Sequence, residues 1–172
     1  MTTYHVIDVL SAQRVFRYCV YIWVSTILIC YAIAVSLGHV PIWLPMISDC
    51  AIIAPEKYIF RLGFISGANY MFISSLLYYI YFKSHAEKNK EKNKASIMFI
   101  PPIASLVLAF IASLAVAIVG AVSEREDIHL HEGAALTFFA MLLLYMALTT
   151  IQVRVHISKM KIQYSYIHHF AL

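Results

Sequence analysis

Charge is scarce in this sequence. Only 13% of its 172 residues are Asp, Glu, Lys or Arg, about half the share of a soluble domain, while 62% are hydrophobic and mean hydropathy is +0.76. That balance excludes an ordinary soluble globular domain and places the chain in a bilayer. No charge stands at the middle of the long apolar runs, which argues against a pump, a channel or a voltage sensor, because those hold ionisable groups at mid-depth. A phosphate-cradling Gly-rich loop, His-Glu-x-x-His, Gly-x-Ser-x-Gly and repeated Cys pairs are absent, so no catalytic residue, metal site or cofactor is assigned. An Asn-x-Ser/Thr acceptor is absent too. Of the three cysteines, Cys19 and Cys30 lie inside the first apolar run and read as small buried hydrophobes. Cys50 stands alone in the first outer loop, without a disulfide partner on its side.

What is present are four apolar windows, about 18–37, 62–82, 101–122 and 134–153, each near the roughly 20 residues that cross hydrocarbon as a helix. They predict an all-α integral membrane protein, a bundle of four transmembrane helices over 1–153 followed by a cytosolic tail, 154–172. The first window is nearer a full span than the 7–15 residues of a signal-peptide core. Ten Lys and Arg residues lie in the N-terminus, the second connection and the tail, against three in the first and third connections. The positive-inside rule therefore puts both termini in the cytosol and the first and third connections on the other face.

Within this scaffold, 45–60 is an interruption carrying Asp49, Glu56 and Lys57 between apolar runs. Asp49 and Glu56 have no nucleophile or metal ligand near them in sequence and read as loop-stabilising rather than as an acid/base pair. Tyr18, Tyr21 and Trp23 read as interfacial anchors of the first span. Gly63-x-x-x-Gly67 opens the second span and predicts a close intramolecular helix contact. Ser105, Ala109, Ser113, Ala117 and Ala121 recur every four residues and predict a small-residue ridge against a neighbour, and Pro101-Pro102 suits a first helical turn. The run 84–94 reads as a solvated loop; Lys83, Lys88, Lys90, Lys92 and Lys94 make it a candidate contact for anionic lipids. In the acidic third connection, His129, His131 and Glu132 would form a metal site only with distant ligands. The two histidines would gain charge near pH ~6.5 in an acidic lumen. Tyr164-Ser-Tyr-Ile167 has the form of a tyrosine-based sorting signal.

The first half resembles the DRAM (damage-regulated autophagy modulator) family, within the wider superfamily that includes the post-GPI-attachment lipid-remodelling factor. The resemblance rests on Tyr31, Ala34, Val35, His39, Leu44-Pro45, Ile47-Ser48-Asp49, Ala54-Pro55-Glu56-Lys57 and Ile59-Phe60. A second match joins a histidine of the third connection, His129 or His131, to Gly133-Ala134, Leu136-Thr137-Phe138 and Tyr145-Met146. Arg61 stands where the family commonly has glycine, and the chain ends where a fifth and sixth span would begin. The resemblance implies a non-enzymatic, multi-pass membrane protein of lysosomes or endosomes that modulates autophagy and lysosome function. It also leaves two alternatives: an accessory factor in membrane-lipid or GPI-anchor remodelling in the Golgi or ER, and a structural tetraspan adaptor at the plasma membrane. Partners expected are the bilayer and other membrane proteins, with no nucleic acid.

Overall fold

A computed structural model describes residues 9–43, 45–92 and 101–170, with side chains described at 13–43, 45–84 and 101–155. Among these residues all regular structure is helical: α1 (Val9–Ser36), a single 3-10 turn at Asp49–Ala51, α2 (Glu56–Lys92), α3 (Pro102–Ala121) and α4 (Ile128–Phe170). Each predicted window falls within one helix to within a residue at its ends, and Pro101 and Pro102 start α3 as expected, with Pro102 inside its first turn. Three stretches are long and apolar enough to cross a membrane: Gln13–Ser36, Pro102–Ala121 and Ile128–Val155. α2 is not among them, because Ser66, Asn69, Ser74, Ser75 and four tyrosines dilute its apolar run.

One segment expected to leave the helical fold does not, and the last span runs on as helix into the tail. The solvated loop predicted for 84–94 continues α2 as far as Lys92, since Ala, Glu and Lys are strong helix formers and extend a helix already nucleated by the turns before them. The tail is likewise continuous with α4 up to Phe170. The side chains of Lys88, Lys90, Lys92, Tyr164 and Ile167, and all of Lys94, lie outside the described residues.

Consecutive helices pack as antiparallel neighbours, α1 on α2, α2 on α3 and α3 on α4. The first and third connections, 37–55 and 122–127, therefore share one end of the bundle. The Gly63-x-x-x-Gly67 contact is intramolecular, as predicted: a Cβ at Gly63 would strike the Thr26 side chain and one at Gly67 the Trp23 indole. The Trp23 indole N–H reaches the Phe64 carbonyl at 3.4 Å, and its ring meets Phe64 at 6.1 Å and, edge-on, Phe138 of α4 at 6.0 Å. Trp23 is thus a packing residue at the centre of the bundle rather than an interfacial anchor. Tyr18 and Tyr21, in contrast, are exposed.

The ridge on α3 holds only in its first half. Ser105, Ala109 and Ser113 are buried, but the buried face then passes to Ala112, Ala115, Val116 and Gly120, while Ala121 is exposed. Steps of four residues advance about 400° on a helix, so a strict four-residue row drifts about 40° per step and winds off the contact face. Gly120 takes over because a Cβ there would sit 2.6 Å from the Cβ of Phe64.

These contacts predict opposite signs for two glycine substitutions. Gly67→Ala destabilises the purified protein in detergent by roughly 1–3 kcal/mol, the cost of forced overpacking, which exceeds the ~0.5–1 kcal/mol that alanine gains over glycine in a helix. Nothing lies within 4 Å of a Cβ at Gly133, so Gly133→Ala keeps only the helix gain and stabilises. Thermal unfolding of both variants checks this, and shifts of the same sign would contradict the close approach at Gly67.

Candidate functional site

The end of α1 sets up the loop end of the bundle. Gly38, at φ 72°, adopts the left-handed conformation that glycine takes without strain. Its N–H bonds the Val35 carbonyl at 3.1 Å, and the His39 N–H returns to Ala34 at 2.8 Å, closing the helix with a Schellman pattern. The chain is thereby turned so that His39 Nδ1 lies 2.5 Å from Oε1 of Glu56, the first residue of α2. Glu56 is 1% exposed, and its Oε2 is buried without a hydrogen-bond partner. Asp49 acts separately, accepting the Met46 N–H at 3.1 Å inside its own turn. The two carboxylates of the loop therefore serve different structural tasks.

Cys50 packs in one cluster with Cys30, Ala34, Ala51 and Phe60, so the thiol expected to stand alone shares its core with a second one. Both are free, as is buried Cys19. Burial, then the nearby Asp49 and Glu56 carboxylates, push the Cys50 thiol above its ordinary value, which keeps it protonated and inert.

A second connection closes over the first through Glu126. Arg61 Nη2 reaches its two carboxylate oxygens at 2.7 and 2.5 Å, and Lys57 Nζ reaches Oε1 at 2.9 Å. The Ser123 N–H and hydroxyl donate to Oε2 at 2.9 and 3.2 Å. The Ser123 backbone N–H, followed by Lys57 and Arg61, holds the Glu126 carboxyl far below the usual carboxylate range.

Beneath this clasp lies an apolar cavity of about 370 Å³. Ile47, Ser48 and Phe60 line it from one side, His131 and Phe138 from the other, and Trp23 and Phe64 form its inner wall. Phe60 and Phe64 stack at 3.9 Å. His131 is 5% exposed; its Nδ1 donates to the Val122 carbonyl at 2.6 Å, and Nε2 stands 3.8 Å from Glu124. Among the described residues no hydrogen bond joins Ser48 to His131, and no group of three His, Cys, Asp or Glu side chains is placed to hold a metal ion.

The two segments singled out in the sequence are therefore neighbours. Ile47, Ser48, Phe60, His131 and Phe138 meet at the cavity, while Glu56 and Lys57 brace its rim. Half-buried Pro45 and exposed Pro55 frame the loop, and Ala134 is buried beside the cavity residue Ala135. His129 and Gly133 are exposed and away from the cavity lining, and Tyr145 lies at the far end of the bundle. Trp23, Phe64 and Arg61 are the contributors that spacing alone did not place here. The Gly63-x-x-x-Gly67 signal announced a close approach without saying which side chain fills it.

The sequence profile of the Frag1/DRAM/Sfk1/Cwh43P N-terminal domain matches residues 11–170. The chain belongs to this family. No curated protein and no solved structure matches it. Within this Frag1/DRAM-type domain, Ile47, Ser48 and Phe60 of one segment and His131 and Phe138 of the other converge on the cavity, and Arg61 grips Glu126 beside Lys57.

Two expected outcomes follow from the loop end. His39→Leu leaves Glu56 Oε1 without its partner in the interior and destabilises by roughly 1–3 kcal/mol, the cost of an unsatisfied buried polar group. His39→Leu with Glu56→Leu recovers part of that loss, because no unsatisfied carboxyl remains. Denaturant unfolding of the single and double variants decides it, and a double variant less stable than His39→Leu would count against the buried pair. Glu126, whose folded-state value is depressed, contributes stability that is present above its unfolded value of about 4.3 and is lost only as pH falls through the lower folded value. The stability difference between wild type and Glu126→Gln is therefore the same at about pH 7 and about pH 5. A difference that shrinks markedly at the lower pH would show that the clasp opens in acid.

Proposed function

We propose that this chain is a multi-pass membrane protein of lysosomal or endosomal membranes that modulates autophagy and lysosome function by binding, without catalysing a reaction. The observation that carries the reading is the convergence of Ile47, Ser48 and Phe60 with His131 and Phe138 on one apolar cavity. A cavity of this size and lining suits an apolar group, and its two polar side chains are not joined into a nucleophile and base. In this reading α2 is the fourth span, with Ser74 and Ser75 buried in the bundle and the exposed Asn69 amide bonded back to the Ile65 carbonyl at 3.1 Å, and the excess of Lys and Arg keeps both termini cytosolic. The connections carrying His39 and Glu126, with Glu56 at the head of α2, face the lumen. Exposed Ile42, Trp43 and Met46 seat it on the bilayer interface, where Trp is favoured. Tyr164 and Ile167 supply the endolysosomal address.

A second reading, an accessory role in membrane-lipid or GPI-anchor remodelling, draws on the same cavity, since an apolar chain of a lipid is a fitting occupant. Location and loss of function separate the two. Tagged full-length protein is expected on lysosomes, and its deletion is expected to change autophagic turnover. Wild type restores that turnover, and Phe138→Ala at equal abundance does not. Unchanged turnover would overturn the first reading, and Golgi or ER residence with altered lipid anchors would establish the second. Surface accumulation on replacing Tyr164 speaks against a plasma-membrane adaptor.

A further inference from the structure

At the end of the bundle opposite the clasp, a cleft of about 640 Å³ opens between α1, α2 and α4. It exists because α1 and α4 make no close backbone approach, leaving Trp23 and Phe138 to bridge them nearer the other end. Gln13 and Arg17 line it from α1, Tyr78 and Tyr81 from α2, and Tyr145 from α4. The Tyr78 hydroxyl is anchored 3.3 Å from the Thr149 carbonyl and 3.4 Å from Gln152 Oε1, and Gln152 is itself buried and held by Ser105 at 3.2 Å. The phenolic wall is therefore fixed by packing.

We propose that this cleft binds the phosphate headgroup of an anionic membrane phospholipid, with Arg17 as its cation. A guanidinium offers rigid paired N–H donors that match phosphate oxygens, and among the described residues no carboxylate lines the cleft to oppose it. Arg17 lies within the first turns of the apolar stretch Gln13–Ser36, at the depth where a span enters the headgroup layer. Phe16, Val153 and the tyrosine rings supply apolar wall beside the cation, which suits a glycerol backbone and acyl chain and gives a free phosphate nothing to bury. Lys83, near the end of the same α2 segment, adds positive field from outside the cleft. The site is distinct from the cavity beneath the Glu126 clasp and rests only on α1 and α4 lying in the bilayer. Its failure therefore leaves the autophagy reading untouched, and the reverse holds equally.

The test uses the purified full chain in nonionic detergent, titrated with soluble short-chain phosphatidylserine, short-chain phosphatidylcholine or inorganic phosphate and followed by native mass spectrometry. Phosphatidylserine is expected to bind more tightly than phosphatidylcholine, with no saturable binding of inorganic phosphate. Arg17→Gln weakens phosphatidylserine binding about tenfold, the scale of one charge-assisted contact, and Arg17→Lys retains part of it. Arg17 is exposed, so unfolding without lipid is unchanged in these variants; should one misfold, Tyr145→Phe, which removes only a hydroxyl, is expected to weaken binding severalfold. Unchanged affinity in Arg17→Gln and Tyr145→Phe overturns the site. So does inorganic phosphate binding as tightly as the lipid, or a loss confined to a Lys83→Gln variant.

Discussion

The approach of α1 to α2 across Gly63 and Gly67 is the contact on which the rest of the bundle depends. Two missing side chains make room for the Thr26 side chain and the Trp23 indole, and the indole then touches both Phe64 and Phe138. Lipid tails are as apolar as leucine, so helices in a bilayer gain little from burying apolar surface against each other. Close van der Waals contact has to hold them instead. Trp23 converts that contact into the inner wall of the cavity where the two family segments meet.

The larger polar networks sit at the two ends of the bundle, while buried hydroxyls between them, such as those of Thr26 and Ser113, bond back to their own helix. At the loop end, one carboxylate, Glu126, gathers Arg61 and Lys57 of α2 and Ser123 of its own connection. At the other end the buried Gln152 side chain accepts from Ser105 and Tyr78 and donates to the Pro101 carbonyl at 3.4 Å. Neither group can be moved into the apolar centre without losing partners that water would not replace there. Among the described residues, Glu56 is the exception to full satisfaction. It is buried with Oε1 partnered by His39 and Oε2 without a partner among the described residues.

Much of the fold was legible in composition and spacing. The apolar windows marked where helices lie, Pro101-Pro102 marked the start of α3, and the Gly63-x-x-x-Gly67 spacing marked a close contact. Two readings failed for physical reasons, one geometric and one of helix propensity. A strict four-residue row cannot stay on one helix face, so the α3 ridge passes from Ser113 to Val116 and Gly120. Charged, strongly helix-forming residues after Phe82 extend α2 rather than ending it.

The sequence by itself determined the medium and the elements, because hydropathy, helix length and charge distribution are local sums along the chain. It also named both segments of the family resemblance. Only the tertiary structure decided that those segments share a cavity, that Trp23 points inward, that Cys50 joins Cys30, and that Arg61 finds Glu126 across 65 residues. These are contacts between elements distant in sequence. Spacing can mark a close face, as Gly63-x-x-x-Gly67 does, but which residue of another helix fills it is fixed by packing.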